Sequence, residues 1–192
     1  MLQSDPAIPI PQVLPEDDAP RGRRFARAAR VLAAAFRRFL VVAVIAFWLG
    51  GFTFYSGVAI PMGVEVLGSH RAVGFITQRV TNWLNVAGVV ALAIFLWNLL
   101  LARRETGIVV RRTLFGTWAL MAVIEVQLII MHPFLDRMLI TQPTRQILNQ
   151  DLFDLIHQVY LISTTVQWGL GMIHVCCICL VWGQRELLAA GA

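Results

Sequence analysis

His157, Tyr160, Thr164, Gln167, Gly171 and His174 recur every three or four residues along one apolar stretch of this chain. On a helix, that spacing draws a single stripe that drifts slowly around the axis. Polar groups in hydrocarbon are costly unless paired, so the stripe is expected to face other helices. Interhelical hydrogen bonding is one use for it, and a ligand, ion or cofactor surface is the other. A second apolar stretch contributes Glu125 near its middle and His132 seven residues later on the same face. An ionised carboxylate at the centre of a bilayer is expensive, which makes Glu125 a functional candidate by default. If the two stretches form adjacent antiparallel helices, His132 falls near His157 at one end, and Glu125 comes level with Thr164 and Gln167. Glu125 then has two possible roles: a hydrogen bond to Gln167, or the handling of protons or cations.

His70, His132 and His157 collect at one end of these segments, with Asp136, Asp151 and Asp154 nearby. Asp154 precedes His157 by three residues, so the two can share a helix face. Imidazole with carboxylate suits zinc, copper or nickel, although the spacing follows no compact ligand motif. Haem ligation by two histidines of one helix is excluded for His157 and His174, which lie about 26 Å apart at 1.5 Å per residue. A haem would have to recruit His132 or His70. Cys176, Cys177 and Cys179 follow His174 closely. Thiolates select copper(I) or zinc, but cysteine is also a small residue at home in apolar surroundings. No cofactor is predicted from these patterns, and haem or a metal remains the alternative. No Ser/His/Asp order or carboxylate pair points to hydrolysis, so the expectation is a protein without enzymatic activity.

The elements that must position these residues are four apolar stretches: Phe39 to Met62, Trp83 to Ala102, Leu114 to Met131 and Leu155 to Trp182. Each is long enough to cross a hydrocarbon core of about 30 Å, which takes roughly 20 residues. The composition agrees: 58% of the 192 residues are hydrophobic and 14% charged, where a soluble domain carries about a quarter charged residues. Gly50, Gly51, Ser56 and Gly57 in the first stretch, with Ala87, Gly88 and Ala91 in the second, let helix backbones approach closely. Pro61 is expected to mark the exit of the first span or a kink in it. The links are read as Gly63 to Asn82 and Pro133 to Phe153, the latter with an Ile147-Leu148 pair dipping back toward the interface. The expected fold is an all-α bundle of four transmembrane helices, residues 39–182, with a short tail over 183–192.

The basic residues set the orientation. All sixteen are arginine. Seven precede the first span, four (Arg103, Arg104, Arg111, Arg112) lie between the second and third, and Arg185 follows the fourth. The other two links hold Arg71 and Arg79, then Arg137 and Arg145. Twelve against four puts both termini in the cytoplasm and His70 and Pro143 outside. The charge is placed as membrane insertion requires, so nucleic acid is not an expected partner. The location expected is the inner (plasma) membrane of a bacterium, with the first span kept as an uncleaved anchor.

Ahead of the spans, residues 1–20 hold five prolines and the acidic run Glu16-Asp17-Asp18. Such a segment buries too little surface to offset its ordering entropy and is expected to be a disordered tail. Residues 21–38 are different. On a helical wheel Phe25, Leu32, Phe36 and Phe39 fall opposite Arg23, Arg27, Arg30 and Arg37. That is the pattern of an amphipathic helix lying in the membrane interface, its arginines on anionic lipid headgroups.

Two segments also resemble a known family. Phe47-Trp48-Leu49-Gly50-Gly51 followed by Gly57-Val58-Ala59-Ile60-Pro61 resembles the first helix of the transmembrane protein 205-like family of small four-span proteins. Phe153-Asp154-Leu155-Ile156-His157, then Tyr160-Leu161-Ile162-Ser163 and Gly169-Leu170-Gly171, resembles its last helix. Gln158 stands where that family often has arginine. The resemblance implies four spans and a membrane location, singles out His157, and brings no established reaction or cofactor. The function expected is that of a non-enzymatic membrane protein, an accessory subunit working with a membrane protein partner or as a homo-oligomer. The alternatives are a small transporter or ion-handling protein using Glu125 and the stripe, and a metal- or haem-binding redox component.

Overall fold

A computed structural model describes residues 21–102, 107–138 and 149–190. The chain divides into two units at Arg37. In the first, the described residues are the opening turns of helix α1 (Arg21–Phe54), where Phe25, Leu32 and Phe36 are exposed and the Arg30 Nε donates to the Ala26 carbonyl at 3.2 Å. The acidic, proline-rich stretch of residues 1–20 lies outside the described residues.

The second unit holds the remainder of α1, a π-helical turn (Tyr55–Ala59), α2 (Ile60–Leu67), α3 (His70–Ala102), α4 (Ile108–Met138) and α5 (Gln150–Ala190). The fold is an all-α, four-helix bundle with no strand among the described residues. Four helices are long and apolar enough to cross a membrane, the property of an integral membrane protein.

The helices run past the apolar windows at both ends, and this corrects the extent of two links. Most of Gly63 to Asn82 is helical. The turn there is Gly68 and Ser69 alone. Gly68 adopts a left-handed conformation (φ 62°) and closes α2 through its N–H to the Val64 carbonyl at 2.9 Å. Glycine meets that conformation without a Cβ penalty. Ser69 then caps α3, its Oγ accepting from the Ala72 N–H at 3.3 Å. The polar residues Thr77, Gln78 and Thr81 thereby become helix residues. Likewise, α4 continues through Pro133 to Met138 and α5 begins at Gln150. The Ile147-Leu148 pair lies outside the described residues.

Pro61 does not end the first span. Its ring would clash with the carbonyl four residues back, and its missing N–H leaves that carbonyl without a partner. The chain absorbs this by widening just before it: the Ile60 N–H reaches back five residues to the Tyr55 carbonyl. A π turn of this kind lets the helix resume as α2, with Pro61 in its first turn.

Side chains tie the helices together. The core joins Val41, Trp48 and Leu49 of α1 to Ala91, Leu92, Phe95 and Leu99 of α3, with Leu114 and Met121 of α4 and Ile178 and Val181 of α5. A second cluster, toward the histidine-bearing end, gathers Ile124, Leu128, Leu135 and Tyr160. Gly171 lets α5 approach α1, since a β-carbon there would stand 2.9 Å from the Leu49 Cδ2. The Trp168 indole donates to the Thr53 hydroxyl at 3.0 Å, and the Tyr55 hydroxyl to the Thr77 hydroxyl at 2.9 Å. Phe47, Trp83, Val123 and Ile162 turn outward, as lipid-facing side chains do.

Candidate functional site: a buried carboxyl below a histidine-lined cavity

Helix α4 lies between α3 and α5 and packs against both. Its inward face repeats Leu114, Thr117, Met121, Ile124, Glu125 and Leu128, all buried. The heptad spacing of α4 and α5 brings Glu125 opposite Gln167, whose amide donates to Oε2 at 2.5 Å. The same amide nitrogen lies 3.5 Å from the Met121 carbonyl. On its other side the carboxyl rests on the backbone of α3 at Gly88. A β-carbon at that position would stand 2.6 Å from Oε2, 2.8 Å from Cδ and 2.9 Å from Oε1. Gly88 therefore makes the room that Glu125 occupies. Only 3% of Glu125 is exposed, and its Oε1 has no hydrogen-bond partner among the described residues.

The rest of the α5 stripe also turns inward, and each member meets a different partner. The Tyr160 hydroxyl donates to the Asn85 side-chain oxygen of α3 at 3.0 Å. The Thr164 hydroxyl returns to its own helix, donating to the Tyr160 carbonyl at 2.6 Å, so it leaves Glu125 to Gln167. His174 is 1% exposed, its Nδ1 2.8 Å from the Thr117 hydroxyl and its ring 4.9 Å from that of Phe95. It is enclosed at the cysteine-bearing end, well removed from the other histidines along α5. Cys176 and Cys179 face outward, and all three cysteines are free.

At the opposite end, His70, His132 and His157 line one cavity of about 440 Å³. His132 Nε2 sits 3.2 Å from the Gln78 carbonyl oxygen, and its Nδ1 3.3 Å from the Asp136 carboxylate. The His157 ring stacks near Phe153 at 5.6 Å. Among the described residues, no three His, Cys, Asp or Glu side chains converge well enough to hold a metal ion. Thus the three histidines share a cavity without forming a coordination sphere. Below the cavity lies a smaller pocket of about 90 Å³, whose lining includes Glu125, Gln167, Asn85 and Thr164. Ile60, Thr77, Thr81, Tyr160 and Leu161 line both spaces. The two therefore share a wall, one wide and histidine-lined, the other small, with Glu125 in its lining.

Sequence reasoning named Glu125, His132, Tyr160, Gln167 and His174 and missed what four of them meet: Gly88 beside Glu125, Gln78 at His132, Asn85 at Tyr160 and Thr117 at His174. Asn85 was the most accessible of these, being an amide inside an apolar run and costly there unless paired. Thr117 precedes Glu125 by eight residues and so shares its helix face. No protein-family description, curated protein or solved structure matches this chain.

Proposed function

We propose that this chain is a non-enzymatic integral membrane protein that handles protons or small cations, with Glu125 as the group that takes and releases them. One observation carries the reading: Oε1 of a nearly fully buried carboxyl has no partner among the described residues, and Glu125 lines a small pocket that shares a wall with an open cavity. Buried polar atoms serving structure alone are normally hydrogen-bonded. Here half of the carboxyl is (Gln167 on Oε2) and half is left for something that arrives. Gln167 fixes the orientation of the group, Gly88 gives it room, and the Tyr160–Asn85 pair borders the narrow pocket above it.

The test is flux. Purified protein in proteoliposomes is expected to dissipate an imposed proton or alkali-cation gradient. Glu125→Gln keeps the size of the side chain and the Gln167 bond, and its amide N–H₂ stands where Oε1 was. It is expected to fold and melt like the parent while losing the flux, because an amide cannot titrate or carry charge. A Gln variant as active as the parent, or parent liposomes no leakier than empty ones, would overturn the reading.

The orientation belongs to the same proposal. Twelve arginines against four put both termini in the cytoplasm of a bacterial cell and the histidine-lined cavity on the outer side. His70 is exposed in α3 and gives a direct check. In a variant with Cys176, Cys177 and Cys179 replaced by alanine, His70→Cys is expected to react with an impermeant thiol reagent in intact cells. Reaction only after lysis would reverse the topology. The basic face of residues 21–38 is assigned to anionic lipid headgroups on the cytoplasmic leaflet. Membership of the transmembrane protein 205-like family is part of the proposal too, and rests on the residues of the first and last spans.

A further inference from the structure

We infer that the histidine-lined cavity is a binding site for a small organic ammonium ion: an amine cation with N–H donors on an apolar body. The inference deepens the reading above by naming a ligand class, and rests on it only in taking this cavity as the entrance to Glu125. Size comes first. About 440 Å³ lies within the range of roughly 300 to 1,000 Å³ typical of small-molecule sites. The walls are mixed in the way such sites are: Val64, Val73, Leu135 and Phe153 supply apolar surface, and His70, Gln78, His132 and Asp136 supply polar groups.

Charge comes second. Asp136 lines the cavity, and among the described residues that line it none is an arginine. The His132 ring lies between two acceptors, the Gln78 carbonyl oxygen at 3.2 Å and the Asp136 carboxylate at 3.3 Å. A neutral imidazole carries one N–H and can satisfy only one of them. With Nε2–H donated to the carbonyl, the Nδ1 lone pair faces the carboxylate, two acceptors side by side. A donor is what that corner lacks. The N–H of an ammonium supplies it with a full charge. Phe153 and Tyr160 also line the cavity, and an aromatic wall favours a cation over a neutral or anionic head. An anion would meet the Asp136 carboxylate, and among the described lining residues no arginine compensates it.

A free amine and the ethanolamine headgroup of an outer-leaflet lipid share this chemistry. Equilibrium binding separates them from each other and from alternatives. Full-length protein in neutral detergent is titrated with 2-phenylethylammonium, neutral 2-phenylethanol and anionic 3-phenylpropanoate, following tryptophan fluorescence and calorimetry. The ammonium is expected to bind at least about tenfold more tightly than the alcohol, the size of one charge-assisted hydrogen bond, and the carboxylate not at all. Asp136→Asn is isosteric and partly exposed, and is expected to bring the ammonium down to the alcohol's affinity while leaving the alcohol's unchanged. In nanodiscs, phosphatidylethanolamine competing with the probe, where phosphatidylcholine does not, would make the lipid headgroup the ligand; equal binding in both would make it a free amine. Either result supports the ammonium site. Alcohol binding as tight as the ammonium, preference for the carboxylate, or an Asp136→Asn variant with unaltered selectivity overturns it. The charge selectivity of the parent protein needs no variant and decides the matter if the substitution disturbs folding. Binding is read without flux, so an ammonium that binds to a protein that conducts nothing defeats the proposed role of Glu125 and leaves this site standing.

Discussion

Gly88→Ala is expected to destabilise the bundle by about 1 to 3 kcal/mol, as overpacked cores are. One methyl group is a small change on most helix faces, and at an open glycine it would be neutral or favourable by helix propensity. Here it would lie within 3 Å of three atoms of the Glu125 carboxyl. The carboxyl ends a flexible side chain, but this one is buried to 3% exposure and held by Gln167 at 2.5 Å. Moving it aside breaks that bond inside the bundle, where a lost hydrogen bond is costly. Contact between the two sites makes their substitutions non-additive. Glu125→Ala vacates the space, so Gly88→Ala made in that background is expected to cost almost nothing. Detergent-denaturant titration of the four proteins of this cycle measures the coupling. An equal cost of Gly88→Ala in both backgrounds would mean the glycine is needed for helix–helix approach, independently of the carboxyl.

Gln167→Leu is expected to be worse than Gln167→Leu combined with Glu125→Leu. The single change removes the one side-chain donor that the Glu125 carboxyl has among the described residues and leaves both oxygens without a partner there. Stranding a buried polar group costs about 1 to 3 kcal/mol. The double change replaces the pair with apolar side chains of similar size and removes the orphan, which is commonly near neutral. Glu125→Leu alone leaves the Gln167 amide with only the long contact to the Met121 carbonyl at 3.5 Å and costs about 0.6 to 2 kcal/mol, the scale of interhelical hydrogen bonds in membranes. The order expected in thermal midpoint is therefore parent close to the double variant, then Glu125→Leu, then Gln167→Leu. If the double variant were the least stable of all, the pair would be holding α4 to α5 by itself, and a role for the free Oε1 would lose its structural ground. The proteoliposome assay adds the other half, since the stable double variant is also expected to be inactive.

The number and class of the helices were legible in the sequence because hydrocarbon imposes its own terms. Long uncharged runs have no stable arrangement there other than helices. The inward face of α5 was legible for the same reason, and so was the meeting of Glu125 with Gln167, since an antiparallel pair of helices in heptad register leaves few other pairings. Local rules went less far at the ends of the spans. Gly63 to Asn82 reads as a polar link, but its polar residues sit on helices with partners, and only Gly68 and Ser69 have the conformation and capping chemistry of a turn. Pro61 reads as an exit or a kink, and only the structure shows that one π turn ahead of it carries the helix on.

What tertiary structure alone decided is which helices share a wall and what space is left between them. Neither the cavity holding His70, His132, His157 and Asp136 together, nor the wall it shares with the pocket at Glu125, follows from any spacing along the chain. Both depend on how α2, α3, α4 and α5 are packed around one another. Gly88 makes the same point from the other side. In sequence it is one small residue among several, and only the packing of α3 on α4 turns the absence of a side chain at that position into the room a buried carboxyl occupies. Periodicity determines which face of a helix turns inward, because it is a property of one helix and its solvent. Cavities and unpartnered atoms are properties of several helices at once, arising from the side chains each brings to a common volume.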